Sequence, residues 1–194
     1  TKQRLLDSAM QLMLAKGFPA TTLDDICTAA GVTKGSFFHY FADKEEIGAA
    51  VLDHFVAGRM QAVQGATFHK LSDPLKRVYG YIDFMIKMSR DSSAMPSCLL
   101  GNFAQDLSDT HPRLLAQCGR HFDHWAQMLK RDLDQAKAQY APKAAFDTLS
   151  LADHCITVLE GALILAKARE NRKVIEKQLR HLKSYLQNLF ENDR

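Results

Sequence analysis

The chain contains 194 residues, of which 46% are hydrophobic and 24% are charged, and its formal net charge is +3. This composition is typical of a globular protein and excludes the disordered and collagen-like classes. The positive excess lies after residue 58, because residues 1–58 carry five basic and seven acidic side chains. Charge alone therefore does not point to nucleic acid.

The lack of recognisable targeting signals and the spacing of the cysteines indicate a cytoplasmic protein. No apolar run approaches the ~18 residues that a membrane-spanning helix needs. The first residues, TKQRLLDSAMQ, lack the apolar core and the cleavage site of a signal peptide. The four cysteines are far apart and form no C-x-x-C pair, which predicts reduced thiols rather than a disulfide framework. The chain does not begin with Met, so we expect a short leading arm to precede it.

Apolar residues recur at helical spacing along nearly the whole chain, which predicts an all-α fold. The first stripe ends at Gly17, a natural helix cap. Thr22 opens a second helix over about 23–30, because its hydroxyl can accept a hydrogen bond from the amide three residues on. After Gly31, Thr33 caps a short helix over about 34–40, and the next helix begins at 43–46.

The apolar pattern loosens between Gly58 and Asp73, where we expect a domain boundary. Residues 1–58 would then form one domain and residues 59–194 a second, larger one. In the second domain the pattern predicts a helix from about Leu75, a loop at 92–96, and further helices at about 97–108, from Pro112, at about 146–169 and at about 171–191. The total is about nine helices, with no internal repeat.

The stretch GVTKGSFFHYF at residues 31–41 combines a tight turn with a crowded aromatic helix. At 100° per residue, Phe37 and Phe41 share one face and should pack inward. His39 points away from them. A helix, a glycine turn and a short second helix have the geometry of a helix-turn-helix. Any αα-hairpin can share that geometry, so geometry alone leaves DNA binding open.

Residues from about 5 to 55 resemble the DNA-binding domain of the TetR-type transcriptional repressors. The resemblance rests on the ending KGF of the first helix and on TTLDDICTAAGVTKGSFFHYFADKEEI. The later segments CLLGNFAQDLSD and LEGALILAKA resemble the sixth and eighth helices of the family. By position, the resemblance implies that the following side chains face operator DNA: Thr22, Thr33, Lys34, Ser36, Phe38, His39, Tyr40 and Lys44.

The eight residues are expected to have different roles. We predict that His39 and Lys34 read base edges, while the other side chains position the protein on the DNA backbone. Phe38 departs from the family, whose members commonly have Tyr there. A phosphate hydrogen bond is then lost, or an apolar contact with a thymine methyl replaces it.

Each of the last two predicted helices carries a stripe of small or apolar residues that could form a dimer interface. Either stripe alone is explained by packing inside its own chain. Together they fit a two-fold four-helix interface, which the resemblance also implies, and a single short recognition helix covers too few base pairs for selective binding. We therefore predict a homodimer through Gly161 on one helix and a heptad seam on the other: Ile175, Leu179, Leu182 and Leu186.

The carboxy-terminal bundle is predicted to bind a small apolar or aromatic effector that releases the protein from DNA. Its helices are rich in Met and aromatic side chains, and Cys98, Asn102 and Gln105 form a polar line on the helix at 97–108. Such a line needs a hydrogen-bonding partner. The expected lining is Phe84, Met88, Cys98, Asn102, Phe103, Phe122 and Trp125. As an alternative on the same scaffold, Cys98 is a reactive thiol that senses electrophiles.

A helical enzyme is the third hypothesis. Acidic and histidine side chains cluster along the sequence at His111, His121, Asp123 and His124, and again at Asp153, His154 and Glu160. The chain has no H-E-x-x-H or E-x-x-H pattern, and scattered helical histidines are more often structural. We therefore expect no catalytic activity, metal or cofactor.

Overall fold

The computed structural model describes residues 1–90, 97–107 and 110–191. These residues form nine α-helices, one 3₁₀ turn at Thr67–Lys70 and no strand, which confirms the all-α prediction. The predicted loop at 92–96 lies outside the described residues. The helices are α1 (Lys2–Ala20), α2 (Leu23–Ala30), α3 (Lys34–Phe38), α4 (Lys44–Gln64), α5 (Pro74–Arg90), α6 (Leu99–Asp106), α7 (Pro112–Tyr140), α8 (Thr148–Ala168) and α9 (Lys173–Glu191).

The chain divides into two compact units. Unit 1 contains residues 1–62 and the described part of 98–122, and unit 2 contains the described parts of 63–97 and 123–194. Because α6 packs against α1, it belongs to unit 1. The units therefore differ from the expected domains 1–58 and 59–194, and α4 continues through Gly58 without a break. The division into a DNA-binding and an effector domain remains a proposal.

The aromatic ring of Phe18 is at the centre of unit 1. Gly17 has φ 81° and ψ 163°, a conformation that favours glycine, and it kinks α1 directly before Phe18. The Phe18 side chain is only 1% exposed. Its ring centroid lies 5.3 Å from that of Phe103 on α6 and 5.1 Å from that of His111. The ring thus joins the end of α1 to α6 and to the beginning of α7.

Helix α4 packs closely on this centre. A Cβ added to Gly48 would lie 2.6 Å from a ring carbon of Phe18, so only glycine lets α4 approach this far. Beside this glycine, the side-chain amide of Gln117 on α7 donates to the carbonyl of Ala49 (3.0 Å) and to the carboxylate of Asp53 (2.7 Å). These bonds fix α4 against α7 within unit 1.

In unit 2, α9 lies against α5 and α8, and its apolar seam is used for that packing. Ile175, Leu179, Leu182 and Leu186 are between 0 and 4% exposed in the single chain. The prediction that these four side chains form a dimer interface therefore needs correction, because they are already covered by their own bundle. Gly161 on α8 has open space around its Cβ position.

Helix α8 is long and apolar enough, by composition, to span a membrane. It is better explained as a core helix of the bundle. Eight of its residues are buried in the chain, and it packs along α9. The core helix of a globular protein commonly has this composition.

Candidate nucleic-acid interface

Capping residues define both ends of α2 and the beginning of α3. The Thr22 hydroxyl accepts a hydrogen bond from the Asp25 amide (3.1 Å), and the Asp25 carboxylate accepts one from the Thr22 amide (2.8 Å). Gly31 then takes a left-handed conformation with φ 62°. The Thr33 hydroxyl accepts from the Ser36 amide at 3.2 Å and so caps α3. The predicted capping chemistry is confirmed at Thr22 and Thr33.

The short helix α3 has an inner and an outer face. Phe37 is 0% and Phe41 3% exposed, which confirms that these two rings anchor the helix. Phe38 is 54% and Tyr40 37% exposed, and His39 is exposed beside Tyr40, with ring centroids 4.7 Å apart. The helix ends at Phe38 rather than at residue 40, and His39 continues it with helical dihedral angles. The outer face is available for a partner.

Lys34, at the start of α3, forms an ion pair with Asp24. Its ammonium lies 2.7 Å from the Asp24 carboxylate, and the two side chains are 61% and 69% exposed. This hydrogen bond raises the pKa of Lys34 above its usual value. The sequence pattern does not predict this pair, although Asp24 stands in the first turn of α2, ten positions before Lys34.

Lys44 is directed toward α1 in this structure. Its ammonium donates to the carbonyl of Pro19 at 3.1 Å and lies 4.4 Å from the centre of the Phe18 ring. Partial burial lowers the pKa of Lys44. An ammonium has three N–H donors, so a phosphate contact is compatible with the bond to Pro19. That contact stays a prediction.

Unit 2 contains two small cavities with largely apolar walls. Their volumes are about 40 Å³ and about 10 Å³, and both are lined by Tyr81, Ile82, Leu129 and Cys155. Trp125 lines the smaller cavity, and its indole N–H donates to the Tyr81 hydroxyl at 2.8 Å. Among the residues predicted to bind an effector, Trp125 is therefore beside a cavity, whereas Phe84 and Met88 are half-buried on α5.

The other predicted effector residues belong to unit 1. Phe103 is completely buried against Phe18. Cys98 is buried immediately before α6, and Asn102 and Phe122 are half-buried. The side-chain amide of Gln105 donates to a carbonyl of its own helix and is exposed, so the polar line is not buried along its whole length. A pocket that combines these residues with Trp125 stays a prediction.

Several cysteine and histidine side chains lie in surroundings typical of structural residues. Burial raises the pKa of Cys155 to about 12 and that of Cys118 to about 11. His121 lies 2.8 Å from the Asp53 carboxylate, and His154 packs its ring edge-on against Tyr185. In the part of the chain that the structure describes, no three His, Cys, Asp or Glu side chains are grouped to hold a metal ion.

Comparison with known families decides the class of the protein. The profile described as "Bacterial regulatory proteins, tetR family" matches residues 5–51. A second profile, "Tetracyclin repressor-like, C-terminal domain", matches residues 74–182, more than half of the chain. The chain belongs to the TetR family. It is therefore a DNA-binding transcriptional regulator, and the resemblance seen in the helix-turn-helix is confirmed.

Relatives extend over almost the whole length of this TetR-family chain. The HTH-type transcriptional repressor DhaR of Mycobacterium sp. (strain GP1) is 26% identical over 178 residues, which is 92% of this chain and 88% of that protein. The repressor NemR of Escherichia coli (strain K12) is 23% identical over 186 residues, 96% of this chain and 94% of NemR.

Solved structures agree on the fold. A TetR transcriptional regulator from Chloroflexus aurantiacus J-10-FL superimposes with a TM-score of 0.85 at 22% identity, covering 96% of this chain and 93% of the other. The reduced form of E. coli NemR has a TM-score of 0.78 at 23% identity, with 94% and 95% covered. At such low identity, these matches establish the architecture alone.

Proposed function

We propose that this TetR-family chain is a cytoplasmic homodimeric repressor that binds an operator through α3 and is released by a small, largely apolar effector. The outer face of α3 carries the proposal, since Phe38, His39 and Tyr40 are exposed while the two rings behind them are buried. A capped, anchored helix with an outward aromatic and imidazole face fits the major groove of DNA. The repressor function of DhaR and NemR supports the same direction of control.

The experiment for DNA binding starts from an operator selected out of random-sequence duplexes. We expect the purified protein to retain a palindromic sequence, because a two-fold dimer reads two half-sites. Fluorescence anisotropy with the selected and a scrambled duplex then gives the specificity ratio at a stated salt concentration. Equal affinity for both duplexes would contradict the proposal.

For the dimer, we propose the exposed face of α8 together with Tyr185 of α9. Ile164 is 50%, Leu165 38% and Tyr185 48% exposed. Gly161 precedes Ile164 and Leu165 by three and four residues and therefore shares their face of α8. Its Cβ position is open, so a second helix can approach closely. Exposed apolar side chains that cluster in this way commonly mark a protein interface.

A matched pair of variants tests this surface. We expect Ile164→Glu to give monomers in multi-angle light scattering and to lose operator binding, while its circular dichroism stays helical. Leu71→Glu is the control, since Leu71 is 41% exposed but lies before α5, outside the proposed face. A wild type that is monomeric at micromolar concentration, or an Ile164→Glu protein that remains dimeric, would contradict the assignment.

The effector is proposed to enlarge the two cavities that share Tyr81 and Cys155. Their walls are mainly apolar, and the hydrogen-bonded pair of Trp125 and Tyr81 offers polar atoms that can orient a ligand. A release of ~30–150-fold from operator corresponds to ~2–3 kcal/mol of coupling per dimer. Trp125 is the only tryptophan of the chain, so its fluorescence should change with a compound that also releases DNA. Unchanged fluorescence at saturation would contradict this placement.

The alternative regulator is a modification of Cys98. NemR, whose reduced form has been solved, is among the relatives in fold, and Cys98 immediately precedes α6. In this case, an alkylating agent should release operator from the wild type but not from Cys98→Ser. If Cys98→Ser protein responds to the effector as the wild type does, reversible binding is the mechanism.

A further inference from the structure

The ion pair between Asp24 and Lys34 places a negative charge beside the base-reading end of α3. We infer that Asp24 is a specificity-determining residue: by pairing with Lys34, it prevents that lysine from serving as a phosphate clamp and reserves it for base edges. This inference rests on the proposed DNA binding through α3. It concerns how the protein rejects wrong sequences rather than how it binds the operator.

Asp24 takes no part in the capping box of α2, although its charge in the first turn is favourable for the helix dipole. The capping box of α2 uses the neighbouring Asp25, whose carboxylate accepts from the Thr22 amide and from the Lys16 ammonium at 2.6 Å. Asp24 is instead turned outward, with its side chain 69% exposed. Exposed ion pairs add little to folding stability, so the pairing with Lys34 itself contributes little to the fold.

The chemistry of the ammonium separates the two kinds of DNA contact. Lys34 has three N–H donors, and one is used on the Asp24 carboxylate at 2.7 Å. A second donor can reach a neutral base acceptor, such as a guanine O6 or N7, while the ion pair remains intact. A phosphate on the same ammonium would bring two anions together, well within the Debye length of about 8 Å at physiological salt.

Asp24 should therefore affect binding to random DNA and binding to the operator differently. Binding to random DNA depends almost entirely on phosphate contacts and counterion release. Asp24 already supplies the counter-charge of Lys34, so this lysine gains little from a phosphate. On the operator, the base contact is neutral and the pair can persist. The amino-terminal segment 1–58 has more acidic than basic side chains, so unspecific attraction is weak throughout and a single lysine has a measurable share of it.

The test compares Asp24→Asn with Asp53→Asn, which removes the same charge from α4, where Asp53 contacts α7. Dissociation constants for the operator and for a scrambled duplex are measured between 50 and 200 mM salt, roughly the range over which phosphate contacts dominate. We expect Asp24→Asn to bind scrambled DNA ~3–10-fold more tightly, with a salt slope steeper by about one. Operator affinity should change less than about twofold, and Asp53→Asn should leave the operator-to-scrambled ratio unchanged.

A double-mutant cycle assigns the effect to the pair. Lys34→Gln should lower operator affinity and barely affect scrambled DNA in the wild-type background. In the Asp24→Asn background, it should also reverse the gain on scrambled DNA and reduce the salt slope by about one.

Two results would overturn the inference. Equal gains on both DNAs would mean that Asp24 acts only as a distant charge, and a selective loss of operator affinity would mean that Asp24 itself contacts a base. If the wild type shows no preference for any duplex, the proposed function fails instead, and the cycle has no operator to measure.

Discussion

Because α4 approaches Phe18 closely, we expect alanine substitutions at two glycines of this helix to have opposite effects on stability. Gly48 and Gly58 both lie inside α4, and replacing either by Ala adds about 0.8–1.0 kcal/mol of helix propensity. A Cβ at Gly58 meets nothing within 4 Å, whereas at Gly48 it would lie 2.6 Å from Phe18 Cε2 and 3.6 Å from Leu114 Cδ1. Only Gly48→Ala introduces a clash.

The Phe18 ring has little freedom to relieve that clash. It is held on other sides by Phe103 and His111, and overpacking in such a site costs roughly 1–3 kcal/mol. After subtraction of the helix propensity, we expect Gly48→Ala to reduce the free energy of unfolding by ~1 kcal/mol. Gly58→Ala should increase it by ~1 kcal/mol. The difference between the variants, about 2 kcal/mol, is the quantity that the packing predicts.

Urea unfolding at one fixed protein concentration measures both variants, since the stability of a dimer depends on concentration. The slopes against urea should agree, so that the midpoints report stability alone. A third protein, Phe18→Leu with Gly48→Ala, should lose less than the sum of the two single changes because the smaller side chain makes room for the added methyl group. Equal stabilisation by Ala at both glycines would refute the tight contact.

Three further predictions concern DNA contacts, acid stability and thiol reactivity. Lys44→Ala should weaken binding to operator and to scrambled DNA equally and reduce the salt slope by about one. His39→Ala should instead cost ~1–3 kcal/mol of binding free energy on the operator only. Equal losses on both DNAs for both variants would contradict these roles. Hydrogen bonds from Arg90 and then Arg180 lower the pKa of Glu176 to about 2 from 4.5. The contribution of Glu176 to stability is therefore complete above pH 4.5 and is lost as the pH falls toward 2. In Glu176→Gln, the free energy of unfolding in urea should depend less on pH over that range. Because burial raises the pKa of Cys118 and Cys155, iodoacetamide should leave both unlabelled in the folded protein at pH 7, as peptide mass spectrometry can show.

The amino-terminal helices could be predicted because the sequence signals that define them are local. A cap such as Thr22 or Thr33 involves an amide three residues away, and the inward side of α3 follows from the spacing of Phe37 and Phe41. The length of α3 and the pairing of Lys34 with Asp24 were not predicted. The pairing depends on how α2 and α3 pack, which periodicity does not report.

The seam of α9 shows the limit of a periodic pattern. Leu179 and Leu182 were identified correctly as one apolar stripe, but the stripe does not reveal whether its partner is the same chain or a second copy. Their burial in the single chain assigns them to the core, which is why we propose the exposed Ile164 as an interface residue instead. The sequence likewise did not show that Phe103 packs on Phe18, and its place in an effector pocket stays a prediction.

The size of the cavities leads to a prediction about how an effector binds. Pockets for drug-sized ligands have volumes of about 300 Å³ or more, whereas the larger cavity beside Tyr81 and Cys155 has about 40 Å³. Opening the missing ~260 Å³ without a ligand would cost about 6 kcal/mol at ~24 cal/mol per Å³, which leaves an open fraction of roughly 4 in 10⁵. If the effector selects that open state, association is limited by opening. In stopped-flow measurements of Trp125 fluorescence, we therefore expect the observed rate to level off as effector concentration rises. A rate that increases linearly to the highest concentrations would mean that the effector enters a site that is already open, or one outside these cavities.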